Sequence, residues 1–132
     1  MSEKHVHQAV VNYLKLQYPS VPFRSDTGAG MKLTIGQAMG QKAIQNGMAW
    51  PDLFIAEPRN AYCGMFIELK DEGVKIFNKS GKYASQHIAD QAECLNMLRR
   101  KGYIASFCIG FDEAKQLIDE YLKLEPCQES HL

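Results

Sequence analysis

No stretch of this 132-residue chain approaches the ~20 consecutive apolar residues of a membrane-spanning helix, so a helical membrane protein is excluded. The start, Met-Ser-Glu-Lys-His, lacks the apolar core of a secretory signal, and the expectation is an intracellular protein that is not secreted. Cys63, Cys94, Cys108 and Cys127 contain no CxxC pair, so neither a zinc knuckle nor a redox motif is supported; reduced, structural thiols are expected. An excess of one charge is missing as well. Fifteen basic residues offset fifteen acidic ones, which speaks against a sequence-independent coater of nucleic acid but not against an enzyme. The glycines never fall in the GxxxxGK[ST] order, so no nucleotide-phosphate loop is implied. Repeats and linkers are absent too, which leaves one domain, expected over residues 1–124, with a flexible tail over 125–132.

What is present is an alternation of helical and strand patterns. Residues 3–18 carry Val6, Val10, Tyr13, Leu14 and Gln17 at helical spacing, with Glu3 in the same stripe and Pro19 as the stop. Residues 23–35 read as a loop around Asp26, Gly28 and Gly30, and a short helix is expected over 36–46, ended by Asn46-Gly47. Leu53 to Ala56 reads as a strand, Pro58-Arg59-Asn60 as a turn, and Tyr62 to Lys70 as a second strand. That strand is apolar on both faces until Glu68 and Lys70, as in a central strand covered from both sides. Residues 71–84 suggest a long mobile loop. A helix over 85–101 with the stripe Ile88, Gln91, Leu95 and Leu98, a strand over 103–109 and a helix over 112–124 complete the pattern. The fold class implied is α/β: a small mixed central sheet flanked by helices.

Polar groups at four places in the chain, Glu3, Asp52, Glu68 with Lys70, and Gln91, fall where such a domain would bury them. Glu68 and Lys70, two apart on a strand, point to one side about 7 Å apart. Leu69 between them points to the opposite layer and leaves its backbone carbonyl at the edge. Asp52 opens the neighbouring strand, and Gln91 breaks an apolar helix face, where an unpaired amide costs about 1–3 kcal/mol. Glu3 interrupts the first helix in the same way. Two carboxylates with oxygen donors nearby suit Mg²⁺ or Mn²⁺ bound against a phosphodiester. Lys70 beside them can orient or deprotonate the attacking water, or offset charge on the transferring phosphoryl group. Glu-x-Lys and Pro-Asp are each common by chance; it is their order at two strand boundaries, one turn apart, that gives them weight.

The segments Ser2-Glu3, Gly47-Met48-Ala49-Trp50-Pro51-Asp52-Leu53, Phe66-Ile67-Glu68-Leu69-Lys70, Asp90-Gln91 and Leu95 to Gly102-Tyr103 together resemble a VRR-NUC domain of the PD-(D/E)xK nuclease superfamily, in the stand-alone form found in bacteriophages. The resemblance implies a restriction-endonuclease-like core. It also implies metal binding by Asp52, Glu68, the Leu69 carbonyl and Glu3, catalysis by Lys70, and support from Gln91. A homodimer acting on branched DNA such as four-way junctions, in the cytoplasm of the host or producing cell, is implied as well. Met48-Ala49-Trp50 departs from the shorter, glycine-containing approach to Pro-Asp that is usual in that family.

Blander interpretations stand beside these. Asp52 could cap a turn, Glu68 and Lys70 could form a solvated pair, Gln91 could bond to backbone, and Glu3 could merely favour the helix dipole. His5 and His7 are two apart on a helix and do not face each other, though His7 could flank the site. Lys75, Lys79 and Lys82, with Arg24 and Lys32, are candidate DNA-phosphate contacts or simply solvated charges. The alternatives to a DNA endonuclease are a non-catalytic nucleic-acid-binding module with a nuclease fold and an RNA-directed nuclease.

Overall fold

A computed structural model describes residues 2–26, 34–37, 39 and 47–127. The helix expected over 36–46 and the candidate phosphate contact Lys32 lie wholly or mostly outside these residues, as does the end of the tail from 128.

Helix α1 (Glu3–Gln17) starts where the Ser2 hydroxyl accepts the His5 N–H, and its buried stripe is Val6, Val10 and Leu14. Strand β1 (Phe23–Ser25) follows, then β2 (Leu53–Ile55) and β3 (Met65–Lys70). Helix α2 (Gln86–Arg100) is capped by the Ser85 hydroxyl on the Ile88 N–H and ends before Gly102, whose φ of 99° a side chain would resist. Strand β4 (Ile104–Ile109) passes directly into α3 (Gly110–Leu122). The sheet runs β1-β2-β3-β4, antiparallel except for the parallel β3–β4 pair.

Alternation along the strands sorts the side chains into two layers. Leu53, Ile55, Met65, Ile67, Leu69 and Cys108 pack on α1 and α3 through Val6, Val10, Leu14, Ala114 and Ile118. Phe66, Ala105 and Phe107 face α2, meeting Cys94, Leu95 and Leu98. The result is an α/β fold with a mixed central sheet between helical layers, and β3 lies at its centre. Asp119 of α3 accepts the hydroxyls of Tyr13 in α1, at 2.5 Å, and of Tyr18 at its C-terminal cap, at 2.6 Å, which clamps those two helices together.

Several expectations need correction. Residues 23–25 are a strand, not a loop: three residues at a sheet edge form no periodic signal and owe their conformation to pairing with β2. β3 begins at Met65 because Tyr62 turns back on Arg59, and because Gly64 lies so close to the Ile55 carbonyl that a Cβ there would come within 2.9 Å of it. Cys63 is accordingly exposed, while Cys94 and Cys108 are buried; all four thiols are free. Gln17, placed in the apolar stripe of the first helix, is exposed.

The segment 71–84 is a closed hairpin-like strap, not a mobile loop. The Asn78 N–H donates to the Lys82 carbonyl and the Ala84 N–H to the Ile76 carbonyl, and Phe77 stacks on Tyr83 at 5.1 Å. The Asn78 side-chain oxygen accepts from the Ser80 N–H, the Ser80 hydroxyl and the Lys82 N–H, a side-chain-built turn that polar composition hides. The start of the tail is tied down as well, through the Asn60 N–H to the Glu125 carbonyl. No helix among the described residues is long and apolar enough to cross a membrane.

Candidate functional site

The register of β2 on β3 builds the site. Leu53 pairs with Ile67, so one step outward Asp52 falls opposite Glu68, and one step inward Phe54 pairs with Phe66. Like charges directly opposite each other across two strands are destabilising, so the placement is costly. Two hydrogen bonds hold it: the Asp52 N–H donates to Glu68 Oε2 at 3.1 Å, and the Leu69 N–H donates to Asp52 Oδ2 at 2.9 Å. Asp52 is 7% exposed and Glu68 2%.

One step further the ladder would set Leu69 against Pro51, which has no N–H to offer. The Leu69 N–H turns to Asp52, and a strand residue's carbonyl leaves by the same edge as its N–H. Proline at 51 therefore withholds from that carbonyl its strand partner on the side where the carboxylates meet.

The other candidates converge on Glu68. Gln91, on the inward stripe of α2, donates from Nε2 to Glu68 Oε1 at 2.6 Å, and Lys70 Nζ lies 3.6 Å from the same oxygen. Lys70 is buried, 6% exposed, as its place beside Glu68 on β3 implies. Glu3 differs. It is exposed, in the first turn of α1, yet one of its carboxylate oxygens joins oxygens of Asp52 and Glu68 in a group whose members all lie within 4.8 Å of one another. His7, one helical turn on from Glu3, hydrogen-bonds through Nε2 to the Ser25 hydroxyl of β1, and its charge lowers the Asp52 pKa. Ser25 was not foreseen, because its position depends on a strand that the sequence does not announce.

Burial raises the pKa of Glu68 to about 9, and the neighbouring Asp52 carboxylate adds to the effect while Lys70 opposes it. Asp52 is also raised, first by burial, against the lowering effect of the Leu69 N–H. Two buried carboxylates so close together resist ionising together at low dielectric without a cation. The donor set is oxygen only, as a hard divalent ion requires. Gln91 Oε1 is buried with no hydrogen-bond partner, an acceptor left over beside the carboxylates. On chemistry and on this orphaned atom the residues fit a hydrated divalent metal.

Of the remaining candidates, Lys75, Lys79 and Lys82 are exposed on the 71–84 strap, and Arg24 is exposed on β1. The strand register together with two helices thus unites Glu3, Asp52, Glu68, Lys70 and Gln91.

Among solved structures the chain is similar to a VRR_NUC domain protein, with 28% sequence identity, a TM-score of 0.71, and coverage of 100% of this chain and 98% of that one. No family sequence model matches the chain, and no curated protein does.

Proposed function

We propose that this chain, similar over its whole length to a VRR_NUC domain protein, is a metal-dependent endonuclease that hydrolyses DNA phosphodiester bonds, choosing branched DNA such as four-way junctions by structure rather than by sequence. The observation that carries this reading is the group of Glu3, Asp52 and Glu68 oxygens within 4.8 Å of one another, with Lys70 Nζ 3.6 Å from Glu68.

Glu3, Asp52, Glu68 and the Leu69 carbonyl would hold Mg²⁺ or Mn²⁺, which supplies Lewis-acid polarisation of the phosphodiester and lowers the pKa of a bound water. Lys70 stands beside the reacting phosphate, where its ammonium offsets negative charge as the P–O bond breaks and its donors orient the attacking water. Gln91 acts through another residue: its amide fixes Glu68 in one orientation. The Asp52 N–H adds a second hold on Glu68, and the Leu69 N–H fixes the Asp52 carboxylate in the same way. Lys75, Lys79, Lys82 and Arg24 contact backbone phosphates, which positions DNA without reading bases. One site cuts one strand, so a homodimer with two-fold symmetry suits paired cuts on a symmetric junction. The setting is the cytoplasm of a host or producing cell, as for a phage-borne enzyme.

Cleavage of labelled linear, flapped and four-way-junction DNA, with a matching RNA duplex beside them, tests this reading. Cutting of junctions ahead of linear DNA in Mg²⁺ or Mn²⁺, and none in EDTA, is the expected result. Cleavage of RNA alone, or equal cutting with EDTA present, would contradict it.

A further inference from the structure

Beside Asp52 opens a cleft of about 460 Å³, lined among others by Arg24, Trp50, Asp52, Phe54 and Phe66. Its floor is a row read directly from the register: Arg24 lies opposite Phe54, and Phe54 opposite Phe66. The two phenylalanine rings are stacked at 4.4 Å with 19° between their planes, and Trp50 is tilted against Phe66 at 6.0 Å. Helix α2 covers Phe66 on one side, but Trp50 remains 42% exposed and Arg24 is exposed on the edge strand. A solvent-facing tryptophan next to a pair of stacked rings is costly surface for a domain this small to leave open.

The row also has a fixed distance from the carboxylates. Phe54 and Phe66 are two residues along their strands from Asp52 and Glu68 and on the same face, a separation of about 7 Å. One extended nucleotide covers such a gap. We infer that this cleft receives a single unstacked nucleobase adjoining the phosphate to be cut, with the base against Trp50 and the Phe54–Phe66 pair and the next phosphate at Arg24. The inference rests on the nuclease reading above and deepens it by naming what the site recognises: a nucleotide free of its neighbours.

Every base has a π-face, so an aromatic floor accepts any base without reading sequence. A base inside a duplex has both faces covered and cannot enter, whereas one at a branch, bulge or flap pays little to swing out. Structure selectivity is then a property of one protomer's cleft and does not need a dimer to explain it. Trp50, the last residue of the Met48-Ala49-Trp50 stretch that departs from the usual approach to Pro-Asp, becomes the residue that determines specificity.

The test uses Lys70→Ala protein in Mg²⁺ to bind DNA without cutting it. The DNA carries one 2-aminopurine, either unpaired at a bulge or fully paired in a linear duplex. Quenching of the unpaired probe and tighter binding of the bulged DNA are expected. Adding Trp50→Ala should remove the quenching and weaken binding of the bulged DNA about tenfold, so that its advantage over the duplex disappears, while Trp50→Phe keeps most of both. Circular dichroism of each variant separates this from misfolding, and the Phe variant keeps the test valid if the Ala variant is unfolded. Equal quenching and affinity with and without Trp50 would overturn the inference while leaving the nuclease reading intact. Failure of every DNA to bind or be cut, by wild-type protein as well, would remove both.

Discussion

Replacing Asp52 by asparagine should make the metal-free protein more stable. The carboxylate oxygens of Asp52 and Glu68 approach within 4.8 Å. At that distance two unit charges repel by about 3 kcal/mol at an effective dielectric near 20. Glu68 already escapes part of this by holding a proton, and Lys70 offsets part, so the net gain expected from Asp52→Asn is about 1–2 kcal/mol. Asparagine keeps an oxygen for the Leu69 N–H and turns its amide towards Glu68, so the local hydrogen bonds survive. The sign with pH follows from burial. Both carboxylates hold protons in the folded state that they release when unfolded, so wild-type stability falls as pH rises from the ordinary carboxylate range towards about 9, the Glu68 value. Thermal melts in EDTA should therefore show the variant melting about 3–8 °C above wild type at pH 8.5, with the difference shrinking towards pH 5. Adding Mg²⁺ should reverse the order, because only wild type gains the binding free energy, about 2.7 kcal/mol at a hundredfold excess over Kd. An Asp52→Asn protein less stable than wild type at pH 8.5 in EDTA, or an equal Mg²⁺ shift in both, would refute the reasoning.

Lys70→Ala should lower the cleavage rate by about 10²–10⁴-fold. Because Lys70 is buried against Glu68, the change should also cost about 1–3 kcal/mol in metal-free protein above pH 9, a loss that fades towards pH 7 as Glu68 takes up a proton; denaturant melts at pH 9.5 and pH 7 check it. Tyr13→Phe should cost about 1–2 kcal/mol without changing the cleavage rate, since it removes a hydrogen bond to Asp119 far from the carboxylates. Burial raises the Asp119 pKa, but hydrogen bonds from Tyr13, Tyr18 and Lys115 outweigh it and hold the group low. The stability it contributes is thus present above the ordinary aspartate range and is lost as pH falls through its folded value, so the Tyr13→Phe penalty should shrink in acid melts.

The strands and helices that carry strong periodicity were legible in the sequence because burial on one or both faces writes itself into composition. The Ile88, Gln91, Leu95, Leu98 stripe is buried as expected, and Gln91 betrayed itself as the one polar member. Asp52, Glu68 and Lys70 were legible through their strand boundaries, which the antiparallel register then converts into contact. Edge strand β1 was not, because three residues held by their neighbour carry no pattern of their own. Nor was the order in 71–84, where one asparagine side chain does the work of a strand ladder. The exposure of Glu3 was misjudged, since a side chain's depth in the first turn of a helix depends on what closes over that end.

The most direct test of the central claim is single-turnover cleavage of a labelled four-way junction by wild type and Asp52→Asn, each with Mg²⁺ titrated from zero. A rate that rises with Mg²⁺ in wild type and stays at background in a folded Asp52→Asn protein is the expected result. Cleavage that ignores Mg²⁺, or that survives the substitution undiminished, would contradict a metal-dependent site built on Asp52 and Glu68.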